Sequence, residues 1–164
     1  MGKNIVLIGM MGCGKTTIGQ LLAEKLGRQL VDTDAMIEQR EGCSISEIFA
    51  TKGEGHFRDL EQTVSEELGR AEGLIVACGG GLPLRPDCIG ALKNTGTVVW
   101  LRRDPAQTYD GLDVSGRPLA QQGKQAFVAR FEQRAPIYGR WADIVIEEFS
   151  SPETTLQTLL EVLK

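Results

Sequence analysis

The sequence predicts an α/β protein in three layers, a parallel sheet with helices on both faces. Three observations predict it. Apolar runs without polar alternation, such as Leu74-Ile75-Val76-Ala77-Cys78, have the composition of strands buried on both faces. These runs alternate with segments of helical periodicity, the order that builds a parallel sheet. The first run, Ile5 to Ile8, leads through Gly9-Met10-Met11-Gly12-Cys13-Gly14-Lys15-Thr16 into a helical pattern. Strand, glycine loop and helix in that order are the context of a phosphate-binding loop, and so of a P-loop fold.

Taken in order, the first strand is expected at about 4–8 and the first helix at about 15–26, where Ile18, Leu21, Leu22 and Leu26 recur at helical spacing and Gly27 follows as a C-cap. A short strand at about 29–31 ends in Asp32-Thr33-Asp34. Asp34 is the candidate N-cap of a helix from about Ala35 to Glu41. Ser44 and Ser46 are both candidate caps for the next helix, and Ser44 has Glu47 at capping-box spacing. From Gly53 to Arg70 Phe57, Leu60, Val64 and Leu68 mark one helical face. The apolar run 74–78 is the next strand, then a helix at about 85–93 and a strand at about 97–101. Asp104-Pro105 is a cap with proline at the first helical position. Residues of about 112–124 are polar and rich in Gly and Gln, and they read as a lid. A helix at about 126–138 contains Pro136, which should disturb its last turn. A strand at 144–146 and a helix opened by Ser151-Pro152 complete the chain. With 164 residues and no linker-like stretch, residues 1–164 read as one domain.

Composition excludes several classes. The net charge is −4 and no basic stripe appears, so nucleic acid is not expected as a partner. No apolar run approaches the ~20 residues that span a bilayer, so no membrane partner is expected. The N-terminal stretch lacks the regions of a signal peptide. A cytoplasmic monomer is therefore the expectation. Cys13, Cys43, Cys78 and Cys88 are scattered, and His56 is the one histidine, so a zinc site is not expected and the thiols read as reduced. Cys13 at a helix N-terminus could be reactive; the plainer reading is a small residue that fits the loop.

The chemistry follows from residue types at loop positions beyond strand ends, where ligands sit in such sheets. In the phosphate loop, glycines turn successive N–H groups toward one anion and the helix N-terminus adds partial positive charge. Lys15 brings a full charge to the β- and γ-phosphates, and the Thr16 hydroxyl is placed to ligate Mg²⁺. Asp32 and Asp34, two residues apart in extended chain, would point to one side. One could hold Mg²⁺ through water and the other could accept a hydrogen bond from an attacking hydroxyl. A solvated, helix-capping turn is the bland alternative. Arg58 and Glu61 lie one helical turn apart, either as a surface salt bridge or as a guanidinium held for a substrate carboxylate. Gly79-Gly80-Gly81 follows a buried strand and suggests close backbone approach to a ligand. A Walker B strand would end there in Asp; this one does not, which leaves Asp32 to serve the metal. Arg117, in Ser115-Gly116-Arg117-Pro118-Leu119, would neutralise transition-state charge from the lid. Arg134, four residues before Tyr138, is a second candidate carboxylate partner. His56 reads as structural or solvent-facing.

In this order and spacing, Gly9 to Thr16, Asp32-Thr33-Asp34, Phe57-Arg58 with Glu61, Gly79-Gly80-Gly81, Arg117-Pro118-Leu119 and Arg134 with Tyr138 resemble shikimate kinase over nearly the whole chain. The resemblance implies a five-stranded parallel sheet of order 2-3-1-4-5, a substrate-binding helical segment at about 32–61 and a lid at about 112–124 that closes. It implies transfer of the γ-phosphate of ATP to the 3-hydroxyl of shikimate with Mg²⁺, a step of aromatic amino-acid biosynthesis. By the same resemblance Asp34 contacts the reacting hydroxyl. Arg58, Gly80 and Arg134 bind the substrate, beside Glu61, Gly79 and Gly81. Lys15 and Arg117 stabilise the moving phosphate. Gly12, Cys13, Gly14, Thr16, Thr17 and Pro152 belong to the ATP side, and Thr16 and Asp32 serve the metal. The chain departs from the family near Tyr109-Asp110-Gly111, which offers no arginine to stack on adenine; Tyr109 is the candidate substitute. A kinase for another hydroxy acid such as gluconate, or for a nucleoside monophosphate, and a non-catalytic nucleotide-binding relative are the competing readings.

Overall fold

The apolar runs become strands where the sequence places them. The computed structural model describes residues 2–112 and 122–164. Strands β1 (Asn4–Ile8), β2 (Leu30–Asp32), β3 (Ile75–Ala77), β4 (Gly96–Leu101) and β5 (Ile144–Ile146) form one all-parallel sheet. Its order is β2-β3-β1-β4-β5. The helices are α1 (Lys15–Leu26), α2 (Thr33–Glu41), α3 (Ile45–Gly69), α4 (Pro86–Lys93), α5 (Pro105–Asp110), α6 (Lys124–Trp141) and α7 (Pro152–Val162). They cover both faces, as a sheet of strands without polar alternation requires. On one face Val6, Ile8, Val76, Val98 and Trp100 join α3, α4 and α6 through Val64, Ile89 and Phe131. On the other Ile5, Leu7, Val99 and Leu101 pack with α1 and α7 through Leu22 and Leu159. No described helix is long and apolar enough to cross a membrane.

Sheet order positions the site. Chain order is β1, β2, β3, but β3 lies between the other two. Its trailing loop, the triple glycine, therefore stands between the phosphate loop after β1 and the aspartates after β2.

Three local expectations change. Strand β2 sits one residue later than the apolar pattern suggests. Helix α2 begins at Thr33, and its N-cap is Asp32, not Asp34: the extended Asp32 backbone lets its Oδ1 accept the Ala35 N–H at 3.0 Å. Asp34 thus lies in the first helical turn, and the two carboxylates are not on an extended segment. As the sequence suggests, Ser44 caps α3, its side chain accepting the Glu47 N–H at 3.1 Å, and the two expected helical segments meet at a kink at Gly53, where φ is 84° and ψ 168°. Pro136 lies inside α6 and not in its last turn, because the helix runs on to Trp141. An interior proline costs ~3 kcal/mol, and burial of Phe127, Phe131 and Tyr138 on the same helix offsets it.

Candidate active site

The loops that follow β1, β2 and β3 line one cleft. It has a volume of about 350 Å³ and is lined by Gly12, Gly14, Lys15 and Thr16, by Asp32 and Asp34, and by Gly79 and Gly80. A larger depression of about 540 Å³ lies between Trp100, Phe131, Pro136 and Val145. It holds none of the phosphate-loop residues, and its Arg102 is paired with Glu147 at 3.1 Å. Volume alone does not locate the chemistry; the convergence of charged groups does.

The phosphate loop takes its shape from backbone. Gly14 caps α1 with φ 106°, a left-handed conformation closed to most residues, and its carbonyl accepts the first helical bond from Ile18 at 2.8 Å. Lys15 folds back over the loop, donating to the carbonyls of Gly9 at 2.7 Å and Met10 at 2.9 Å. A phosphate oxygen carries full charge where these carbonyls carry only dipoles, so it can draw the ammonium away from them. Cys13 lies beneath, buried, with Sγ 3.8 Å from Lys15 Nζ. Thr17 is exposed at the start of α1 and Pro152 is exposed at the first turn of α7; neither lines the cleft.

Opposite the loop, Asp34 is a weak acid. Burial pushes its carboxyl up to about 6, repulsion from Asp32 and Glu61 adds to the rise, and Lys15 opposes it. A base with that pKa is mostly ionised at neutral pH and can still hold a proton, the range suited to general base work. Its position depends on a glycine: a Cβ at Gly79 would lie 2.5 Å from Asp34 Oδ1.

Two guanidinium groups meet over the triple glycine. A Cβ at Gly81 would stand 3.4 Å from an Arg58 terminal nitrogen and 4.0 Å from one of Arg134, and a Cβ at Gly80 would stand 3.3 Å from Arg134. Arg58 is held by Glu61 at 3.0 Å and Glu54 at 3.3 Å, and it also lies over the Phe57 ring at 5.4 Å. The Glu61 side chain is only 2% exposed. Burial pushes its carboxyl up while Arg58 pulls it down. Each terminal nitrogen of Arg58 bonded to a glutamate keeps a second N–H for another acceptor. Two convergent guanidiniums above a floor without side chains form a seat for a small carboxylate.

Thr16 and Asp32 line the same cleft. Asp32 spends one oxygen on the Ala35 N–H and keeps another. Hydroxyl and carboxylate oxygens suit Mg²⁺, which retains waters and needs few protein ligands. Among the described residues no group of three or more His, Cys, Asp or Glu forms a metal cage.

Other expectations have plain outcomes. Arg117 lies outside the described residues, as does most of the lid at about 112–124. Tyr109 turns its ring onto Phe127, centroids 5.5 Å apart, and joins the core rather than standing free to stack. His56 faces Glu41 at 3.0 Å. Two residues given no role in the sequence, Thr33 and Tyr138, bond directly to the glycine floor. Their signals were faint: a hydroxyl between two aspartates, and an aromatic four residues after Arg134.

The family model for shikimate kinase matches residues 11–164. The chain belongs to the shikimate kinase family. It is 44% identical over 167 residues to a shikimate kinase of Synechococcus elongatus, covering 99% of this chain and 87% of that protein. It is 40% identical over 164 residues to one of a Sulfurihydrogenibium species, covering 99% and 98%. Among solved structures, a shikimate kinase from Acinetobacter baumannii in complex with shikimate superposes with a TM-score of 0.91 at 34% identity, covering 99% of this chain and 93% of that one. A shikimate kinase from Bacteroides thetaiotaomicron gives 0.89 at 31% identity, covering 98% of each chain.

Proposed function

We propose that this shikimate kinase family member transfers the γ-phosphoryl group of ATP to the 3-hydroxyl of shikimate, giving shikimate 3-phosphate and ADP. The observation that carries the reading is the convergence of Arg58 and Arg134 over Gly80 and Gly81, with Asp34 and Lys15 lining the adjoining cleft. A substrate with a carboxylate at one end and a hydroxyl at the other matches that spacing of charges.

Each residue then has a task. Arg58 and Arg134 hold the carboxylate, and Glu61 with Glu54 keeps Arg58 aimed. Gly79, Gly80 and Gly81 form the floor. Asp34 accepts the hydroxyl proton as the hydroxyl oxygen bonds to the γ-phosphorus and the bond from that phosphorus to the β-bridging oxygen breaks. The transition state of phosphoryl transfer is loose, so positioning matters more than base strength. The phosphate loop from Gly12 to Thr17, Cys13 included, holds ATP. Lys15 and, from the lid, Arg117 balance the charge in transit, and Pro152 belongs to the adenine side. Mg²⁺, held by Thr16 and through Asp32, neutralises phosphate charge when bound. We read residues 1–164 as one domain working as a cytoplasmic monomer, with the segment of about 32–61 on the substrate side and the lid at about 112–124 excluding water.

ADP release with Mg²⁺ is measured against shikimate, quinate, gluconate, AMP and CMP. Turnover with shikimate well above all the others is expected. Equal or greater turnover with gluconate or a nucleotide would sink the reading.

A further inference from the structure

A floor of three glycines has no side chains to hold itself. Glycine is the most freely moving residue of the backbone, so such a stretch keeps its shape only if something outside it supplies anchors. Within the loop, Gly79 and Gly81 carbonyls accept from Leu82 at 3.1 Å and from Leu84 at 3.2 Å. The N–H groups of Gly80 and Gly81 donate to no backbone carbonyl among the described residues. Among the described residues the remaining anchors are two hydroxyls from distant elements. Gly79 N–H donates to Thr33 Oγ1 at 3.0 Å, and Tyr138 Oη donates to the Gly80 carbonyl at 2.6 Å. Both side chains belong to residues with 0% exposure.

The consequences reach past the loop. In a trans peptide the carbonyl and the following N–H are antiparallel, so fixing the Gly80 carbonyl also fixes the direction of the Gly81 N–H. Tyr138 lies one helical turn beyond Arg134 on α6, so the two share a face. Tyr138 Oη also lies 3.8 Å from Met10 Sδ, and an Arg134 nitrogen lies 4.0 Å from the same sulfur. One phenol therefore touches the glycine floor and the phosphate loop, and it belongs to the helix that carries Arg134. From the other side, Thr33 ties Gly79 to the segment that carries Asp34.

We propose that Tyr138 and Thr33 are positioning residues that clamp the glycine floor from both ends, setting the carboxylate seat relative to the phosphate loop. Neither needs to touch the substrate. The inference rests on the proposed function for its kinetic reading.

The test uses the full chain and three variants. Tyr138→Phe and Thr33→Val remove one hydroxyl each with little change of volume; Thr33→Ser keeps it. Initial rates give KM and kcat for shikimate and for ATP separately. The shikimate KM is expected to rise about 10-fold in Tyr138→Phe and Thr33→Val, the size of effect left by one unsatisfied buried partner. The ATP KM stays within about twofold, as expected of a loss confined to one substrate's binding. Thr33→Ser stays near wild type. KM is a property of the folded molecules, so a variant that folds in poor yield still gives this reading. Unchanged KM values together with an unchanged kcat per folded molecule, counted by calorimetric titration with ATP, mark hydroxyls that serve stability alone and overturn the proposal. If the wild type releases no ADP on addition of shikimate, the proposed function fails instead. The clamp is then judged by amide hydrogen exchange at Gly80, Gly81 and Leu82: faster exchange in Tyr138→Phe supports it, and unchanged exchange overturns it.

Discussion

The phosphate loop builds its half of the cleft from consecutive residues, Gly9 to Thr16, and mostly from backbone. The facing half is assembled from Asp34 on α2, Arg58 on α3 and Arg134 on α6, over a floor that follows β3. The first half needs only a strand, a turn and a helix to exist. The second exists only when four separate elements have packed. The comparison teaches where each half is vulnerable. Backbone N–H groups bind any phosphate, so that half is generic. In the proposed reaction the acceptor is recognised by side chains whose positions depend on distant packing, and small changes there should alter one substrate and spare the other.

The largest effect should come from Asp34→Asn, which keeps the shape and removes the base. We expect kcat to fall by about 10³-fold with ATP affinity, measured by calorimetry, unchanged. An equal loss of ATP affinity would erase the division between the halves. Next is Gly79→Ala, where the new Cβ would meet Asp34 Oδ1 at 2.5 Å. Displacing the carboxylate should lower kcat by about 10²-fold, the scale expected of a misplacement near 1 Å, and a crystal structure of the variant would show the shift. Arg58→Lys should raise the shikimate KM by about 10-fold and leave the ATP KM alone, because a point charge cannot reproduce the planar fork. An unchanged shikimate KM would remove Arg58 from the acceptor half.

The smallest effect concerns stability. The Asp34 carboxyl titrates near pH 6 in the folded chain against 3.8 for an ordinary aspartate. Its folded pKa is raised, so its contribution to stability is greatest below pH 3.8 and is lost as pH rises through 6. The ionised group then costs about 2–3 kcal/mol at pH 8. Asp34→Asn should therefore melt at higher temperature than wild type at pH 8, with the gap closing toward pH 4. For activity the sign reverses, since the base must be ionised: kcat/KM for shikimate should fall as pH drops below about 6, where Asp34 takes up its proton. A melting gap that does not vary with pH would mean that Asp34 carries no buried charge.

The elements themselves were legible in the sequence because their causes are local. Ile5 to Ile8 and Leu74 to Cys78 lack polar alternation, which marks buried strands, and Ser44, Asp104 and Ser151 cap helices by bonds spanning three residues. Sequence and structure differ where a local rule meets a competing contact. Asp32 took the cap expected of Asp34, because β2 ends one residue later and leaves Asp32 extended beside the new helix. Pro136 obeyed the core rather than its own propensity. At the site, Lys15, Asp34, Arg58 and Arg134 could be named from residue types and spacing, and they do converge.

Thus the chain's order of apolar runs, glycines and caps by itself determined an α/β sheet with a phosphate loop, since those signals act within a few residues. It did not determine that Tyr138 would reach Gly80, or that Thr33 would hold Gly79, separated by 58 and 46 residues. Those bonds exist because β3 inserts between β2 and β1 and because α6 packs its buried face on the sheet. The phosphate loop folds by its own backbone geometry; the floor opposite it has no side chains, so its position belongs to the tertiary structure.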